Sequence, residues 1–175
     1  FQAQPRQSER QMCSGETHYL WGRGYRLEVI HSEEVPSVKL QGGWIRMRVP
    51  AHYDAAKREE LLLGWYRQLL RQRLPVLLEK WQSALKVAPG FVGIKRMKTK
   101  WGSCNTLAGR IWLNLELVKK PPECLEFIVV HELIHLLERR HNERFMTLID
   151  LHLPNWREHR EKLNKMPLAF NRWGY

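Results

Sequence analysis

HELIHLLERRH, residues 131–141, is the stretch on which the reading of this chain turns. It sets Glu132 beside His131, places His135 four residues after the first histidine, and puts His141 six residues further on. On an α-helix, residues i and i+4 stand one turn apart on the same face. His131 and His135 can therefore aim two imidazoles at one point, and imidazole is a good ligand for zinc. Glu132 projects beside that pair without having to ligate. Composition alone would generate H-E-x-x-H about 0.03 times in a chain of this make-up, so the pattern needs support from its surroundings. The surroundings agree. ECLEFIVV, just before it, is apolar enough for a buried helix, and Pro121-Pro122 suits a first helical turn, where a missing N–H does no harm. The competing reading is a surface helix that merely carries an i,i+4 histidine pair.

A catalytic zinc site uses three protein ligands and leaves a fourth position open. If the helix ran on, the six residues from His135 to His141 would amount to about 600° of rotation and leave His141 on another face. The helix is expected to reach about Arg139, so the chain must leave it near Glu138 to Arg140, with no glycine to assist. The residues favour His141 as third ligand, with Glu143, Glu158 and Glu161 as carboxylate alternatives and His152 and His159 as further competitors. Glu132 is the candidate general base, because a carboxylate there can take a proton from water that the metal has acidified.

Working outward, residues 1–16 are expected to form a flexible leader and 17–175 one domain of ordinary size. Residues 17–50 read as strands. His18 to Ile30 carries Gly22 and Gly24 and suggests a hairpin, and Val35–Leu40 and Trp44–Val49 flank Gly42-Gly43 in a second one. In WIRMRV, Ile45, Met47 and Val49 share one face, the period of two that a half-buried strand requires. Residues 54–86 change to a helical period, which Pro75 is expected to kink or divide. Residues 91–118 read as two strands, Phe91–Lys98 and Arg110–Val118, in a hairpin around the WGSC loop, and 121–164 as C-terminal helices bearing the metal site. Asn142 is a plausible N-cap for a helix to about His152, and Pro154-Asn155 opens a last short helix. The expected fold is α+β, a small antiparallel or mixed sheet packed against helices, with HExxH on a buried helix.

Composition narrows the classes. The hydrophobic share is 43% and the charged share 27%, as in a globular protein in water. Its longest apolar stretch, Phe127 to Leu137, is broken by His131, Glu132 and His135, so no membrane span is expected. Cys13, Cys104 and Cys124 share no CxxC spacing, which points away from a disulfide framework and toward a cytoplasmic setting. A formal charge of +11 favours contact with nucleic acid or another polyanion.

MKTKWGSC (97–104), IWLN (111–114), VVHELIH (129–135), His141 and Phe145 together resemble the YgjP-like metallopeptidase domain family, which is related to the SprT-like zinc proteases. WYRQLLRQRLP and LPNWREHREKL extend the resemblance, which covers the chain from about Tyr19. It implies a zincin-like core, zinc on His131, His135 and His141, Glu132 as general base, and a peptide or protein substrate. The family often has Asn before the third histidine and Trp after the Phe, where this chain has Arg140 and Met146. Trp101 and its neighbours are expected either to line the cleft or, around a tight turn at Gly102, to pack in the core with Cys104. The strand Arg110–Val118 is expected to offer an edge for an extended peptide. The rivals to a zinc peptidase are a metal-dependent nucleotide or phosphoanhydride hydrolase and a nucleic-acid-associated module with structural zinc.

Overall fold

The computed structural model describes residues 11–165. Alternating strands and glycine turns build its first sheet. The strands are β1 (Thr17–Leu20), β2 (Arg23–His31), β3 (Ser37–Gln41) and β4 (Trp44–Val49), in the order β1-β2-β4-β3. Gly42 and Gly43, at φ of 60° and 79°, make the β3–β4 turn, the left-handed pair that suits a two-residue hairpin. The β1–β2 turn falls at Trp21-Gly22, while Gly24 sits inside β2 opposite Tyr19. Strands β2 and β4 pair in parallel, so the two hairpins join into one mixed sheet. Ile45, Met47 and Val49 are wholly buried, as the alternation requires.

Helix α1 (Ala55–Leu85) is capped by Asp54, whose carboxylate accepts from the Lys57 N–H at 2.9 Å. Pro75 does not divide it. Leu70 and Leu74 on one side and Trp81 and Leu85 on the other are all buried, so both halves are held to one core. The single hydrogen bond lost at exposed Pro75 is not enough to end the helix.

The second sheet departs from the expected hairpin. Its strands are β5 (Phe91–Lys95), β6 (Gly102–Asn105) and β7 (Arg110–Asn114), in the order β5-β7-β6. Strands β5 and β7 are neighbours, but they run parallel. Parallel neighbours need a crossover, and here the connection itself supplies a strand, the GSCN of the WGSC segment, antiparallel to β7 on its far side. Strand β7 ends at Asn114 rather than Val118, and Leu115–Lys119 forms a 3-10 turn. Leu115, Leu117 and Val118 are buried in that turn too, so the apolar rhythm continued past the strand it seemed to describe.

Helices α2 (Pro122–Ile134), α3 (Glu143–His152) and α4 (Trp156–Lys165) complete an α+β fold that has, among the described residues, two small mixed sheets and four helices. Helix α2 packs against α1, α3, α4 and β6, with Phe127, Ile128, Val130 and Leu133 fully buried. It stops at Ile134, short of Arg139. Of the expected leader, residues 1–10 lie outside the described residues. Residues 11–16 are docked on the core, with Met12 buried and Arg58 donating to the Met12 carbonyl at 2.9 Å. No helix among the described residues is long and apolar enough to cross a membrane.

Asn114 ties the second sheet to the loop before β6. Fully buried, its amide donates to the carbonyls of Lys100 at 2.8 Å and Met97 at 3.0 Å, while its oxygen accepts from the Glu116 N–H at 3.1 Å. Asn114→Ala strands those backbone groups without partners, at about 1–3 kcal/mol for each buried group left unmet. We expect a loss of about 3 kcal/mol in urea unfolding, with faster hydrogen exchange confined first to residues 97–101.

Candidate metal centre

Helix α2 presents His131 and Glu132 from its last full turn, both buried, and His135 follows as its C-cap in right-handed helical conformation. The motif thus straddles the end of the helix. Beyond it, the Leu136 N–H bonds to the Leu133 carbonyl and that of Leu137 to the Ile134 carbonyl, i→i−3 contacts that tighten the turn. Among the described residues, the non-glycine ones with positive φ are Met12, Trp21 and Lys86, so the chain leaves this helix with no left-handed residue near it.

Helix α3 brings the third histidine back. Asn142 caps it by accepting from the Phe145 N–H at 3.1 Å, which fixes the backbone immediately after His141. Phe145, buried, places its ring centroid 5.1, 4.9 and 4.8 Å from those of His131, His135 and His141. One aromatic ring thus backs all three imidazoles.

One ligand atom from each of His131, His135 and His141 lies within 4.8 Å of the others. The Nε2 atoms of His131 and His141 are 3.0 Å apart. Among the described residues this is the group of three that could hold a metal ion, and it includes none of Glu143, Glu158, Glu161, His152 or His159. Glu161 is instead paired with Lys165 at 2.9 Å.

The donor set fits a divalent metal. The Nδ1 of His135 lies 3.1 Å from the Glu138 carbonyl, which can only accept, so Nδ1 carries the proton and Nε2 keeps its lone pair. Burial, followed by the charge of His141, pushes His131 down to about 3, so its imidazole is neutral and able to ligate. His135 is lowered as well, again first by burial. Glu132, 2% exposed, has a carboxylate oxygen 3.4 Å from the His131 Nδ1.

A cleft of about 740 Å³ opens onto this group. Its opposite wall is β6 and the loop after it, and Lys100 and Arg139 add two cations. Among the described residues, Glu132 supplies the one carboxylate of that lining. Trp101 is buried and absent from the wall, whereas half-buried Cys104 belongs to it. Burial, then the Glu132 charge, pushes the Cys104 thiol up to about 11, so it is held protonated at neutral pH. The strand expected to offer an edge, β7, is central in its sheet; the outer strand at the cleft is β6.

Gly102, for which the sequence offered either a place in the cleft wall or a tight turn, lines the cleft. It opens a strand rather than making a turn, and a Cβ there would lie 2.8 Å from a Glu132 carboxylate oxygen and 2.9 Å from its Cγ. The glycine lets Glu132 sit against β6. Its signal in the sequence was the small residue between Trp101 and Ser103, which is equally consistent with a turn. Gly102→Ala is expected to cost about 1–3 kcal/mol through overpacking. It should lower kcat at full metal content; thermal unfolding and metal analysis beside steady-state kinetics check both.

A family model described as YgjP-like, metallopeptidase domain matches residues 1–166. Among curated proteins none matches. Among solved structures, the metallopeptidase zymogen of Pyrococcus abyssi, abylysin, is similar at 22% identity and a TM-score of 0.47. The likeness covers 51% of this chain and 90% of that one, too partial to carry an argument.

Proposed function

The chain belongs to the YgjP-like metallopeptidase domain family, and from that premise we propose that it hydrolyses peptide bonds with a zinc ion held by His131, His135 and His141. A metal-dependent peptidase is what the family establishes; the ion, the ligands and the base are our reading. The observation that carries it is the convergence of three histidines, one ligand atom of each within 4.8 Å of the others, in the lining of a cleft.

When bound, zinc supplies Lewis acidity and a water acidified toward neutral pH. The residues do the rest. His135 is oriented by its Nδ1–H donation to the Glu138 carbonyl, and His131 is kept neutral by burial. Glu132, next to His131 and walled in by Gly102, accepts the proton at its carboxylate and returns it to the leaving amine. An extended substrate can add to β6, since that strand is outermost in its sheet and its four residues line the cleft.

Nucleotide or phosphoanhydride hydrolysis is the second reading, favoured by Lys100 and Arg139 in the cleft wall. Assaying casein-type peptides beside nucleoside triphosphates separates the two, because the true activity disappears in Glu132→Gln. That variant should keep its metal while hydrolysis falls by about 100-fold or more, the contribution of a general base. Undiminished turnover would reject Glu132 as the base. His141→Ala should lose zinc in equilibrium dialysis, and unchanged metal content would reassign the third position.

A further inference from the structure

The second sheet has two faces of opposite character. Its inner face sets Val92, Ile94, Ile111 and Leu113 toward the core. The outer face follows from the register: Phe91 stands opposite Arg110, Gly93 opposite Trp112, and Ser103 of β6 on the far side of Trp112. Phe91 keeps 44% of its surface exposed, an uncommon place for a large apolar ring, and Trp112 is half-buried. The two rings meet edge to face with centroids 5.1 Å apart.

Gly93 makes room for this pair. A Cβ there would come within 2.5 Å of the Trp112 ring and 2.7 Å of the Phe91 ring, so the aromatics lie directly across β5. Cations stand over both rings. The Lys95 Nζ is 4.5 Å from the Trp112 centroid and the Arg110 guanidinium 6.0 Å from that of Phe91. Beside them runs a groove of about 490 Å³ against α1, where Arg71 is the charged residue of a lining that includes Pro75. Among the described residues, no carboxylate belongs to that lining or to the outer face of the three strands.

We propose that this outer face binds single-stranded nucleic acid, with bases stacking on Phe91 and Trp112 and phosphates meeting Lys95, Arg110 and Arg71. Accessible rings, one exposed and one half-buried, interleaved with cations suit a sequence-tolerant strand of bases. Duplex DNA hides its base faces, so the rings favour single strands. An exposed cation–π contact is weaker than a base stacked on the same ring, which lets Lys95 and Arg110 swing to the backbone. The net charge of +11 supplies long-range attraction but not the choice of site. Strand β6 joins this face to the cleft, since Ser103 belongs to both.

Fluorescence anisotropy with a labelled oligothymidine of about 20 nucleotides tests the proposal, with duplex DNA and heparin as competitors. Phe91→Ala and Trp112→Ala should each weaken oligothymidine binding about tenfold, while Trp112→Phe, which keeps a ring, retains most of it. Lys95→Gln and Arg110→Gln should each reduce the slope of log affinity against log salt by about 0.7. Lys39→Gln, at an exposed position of β3 in the other sheet, should change neither. Thermal unfolding monitors every variant; if Trp112→Ala unfolds, Phe91→Ala decides alone. Wild-type affinity in Phe91→Ala, or equal displacement by heparin and by oligothymidine in all variants, would reduce the surface to general polyanion attraction and overturn the proposal.

Discussion

The structure depends on a reversal of the chain in seven residues, between the end of α2 at Ile134 and the cap of α3 at Asn142. Two imidazoles on one helical turn cannot enclose an ion, and a third from the same straight helix would point elsewhere. The reversal supplies the third. It starts with i→i−3 bonds that shorten the last turn, and Glu138 anchors it, bonding through its N–H to the Ile134 carbonyl and through its carbonyl to His135. It ends in the Asn142 cap and the Phe145 ring. The same segment that carries His141 back therefore also sets the tautomer of His135.

Burial divides the labour within the triad. His131 is almost fully enclosed, His135 half so, and His141 exposed. The inner histidine is held neutral by desolvation, and the outer one lies on the connection between α2 and α3. The geometry of the three histidines is thus set from the core outward. Gly102 and Asn114 extend that order to the opposite wall, the first by admitting Glu132 and the second by bonding the backbone that leads into β6.

HELIH was legible because helical spacing and an apolar approach are local properties, and the i,i+4 pair needed no tertiary knowledge. Asn142 as a cap was legible for the same reason. The exit from α2 was harder, since Leu136 and Leu137 continue an apolar pattern that a longer helix would also show, and no glycine marks the stop. The parallel pairing of β5 with β7 could not be read at all. A strand pattern is the same in either direction, and GSCN is too short and polar to announce itself as β6. Leu115 and Leu117 misled in the opposite way, because burial on all sides keeps an alternating rhythm alive in a 3-10 turn. Pro75 shows tertiary anchoring overriding a local breaker.

X-ray absorption at the zinc edge, on protein loaded with one equivalent of the ion, tests the central claim most directly. Three imidazole nitrogens and one light scatterer from solvent at about 2.0–2.1 Å are the expected shell. A sulfur scatterer near about 2.3 Å, or four protein ligands with no solvent position, would contradict a catalytic site built on His131, His135 and His141.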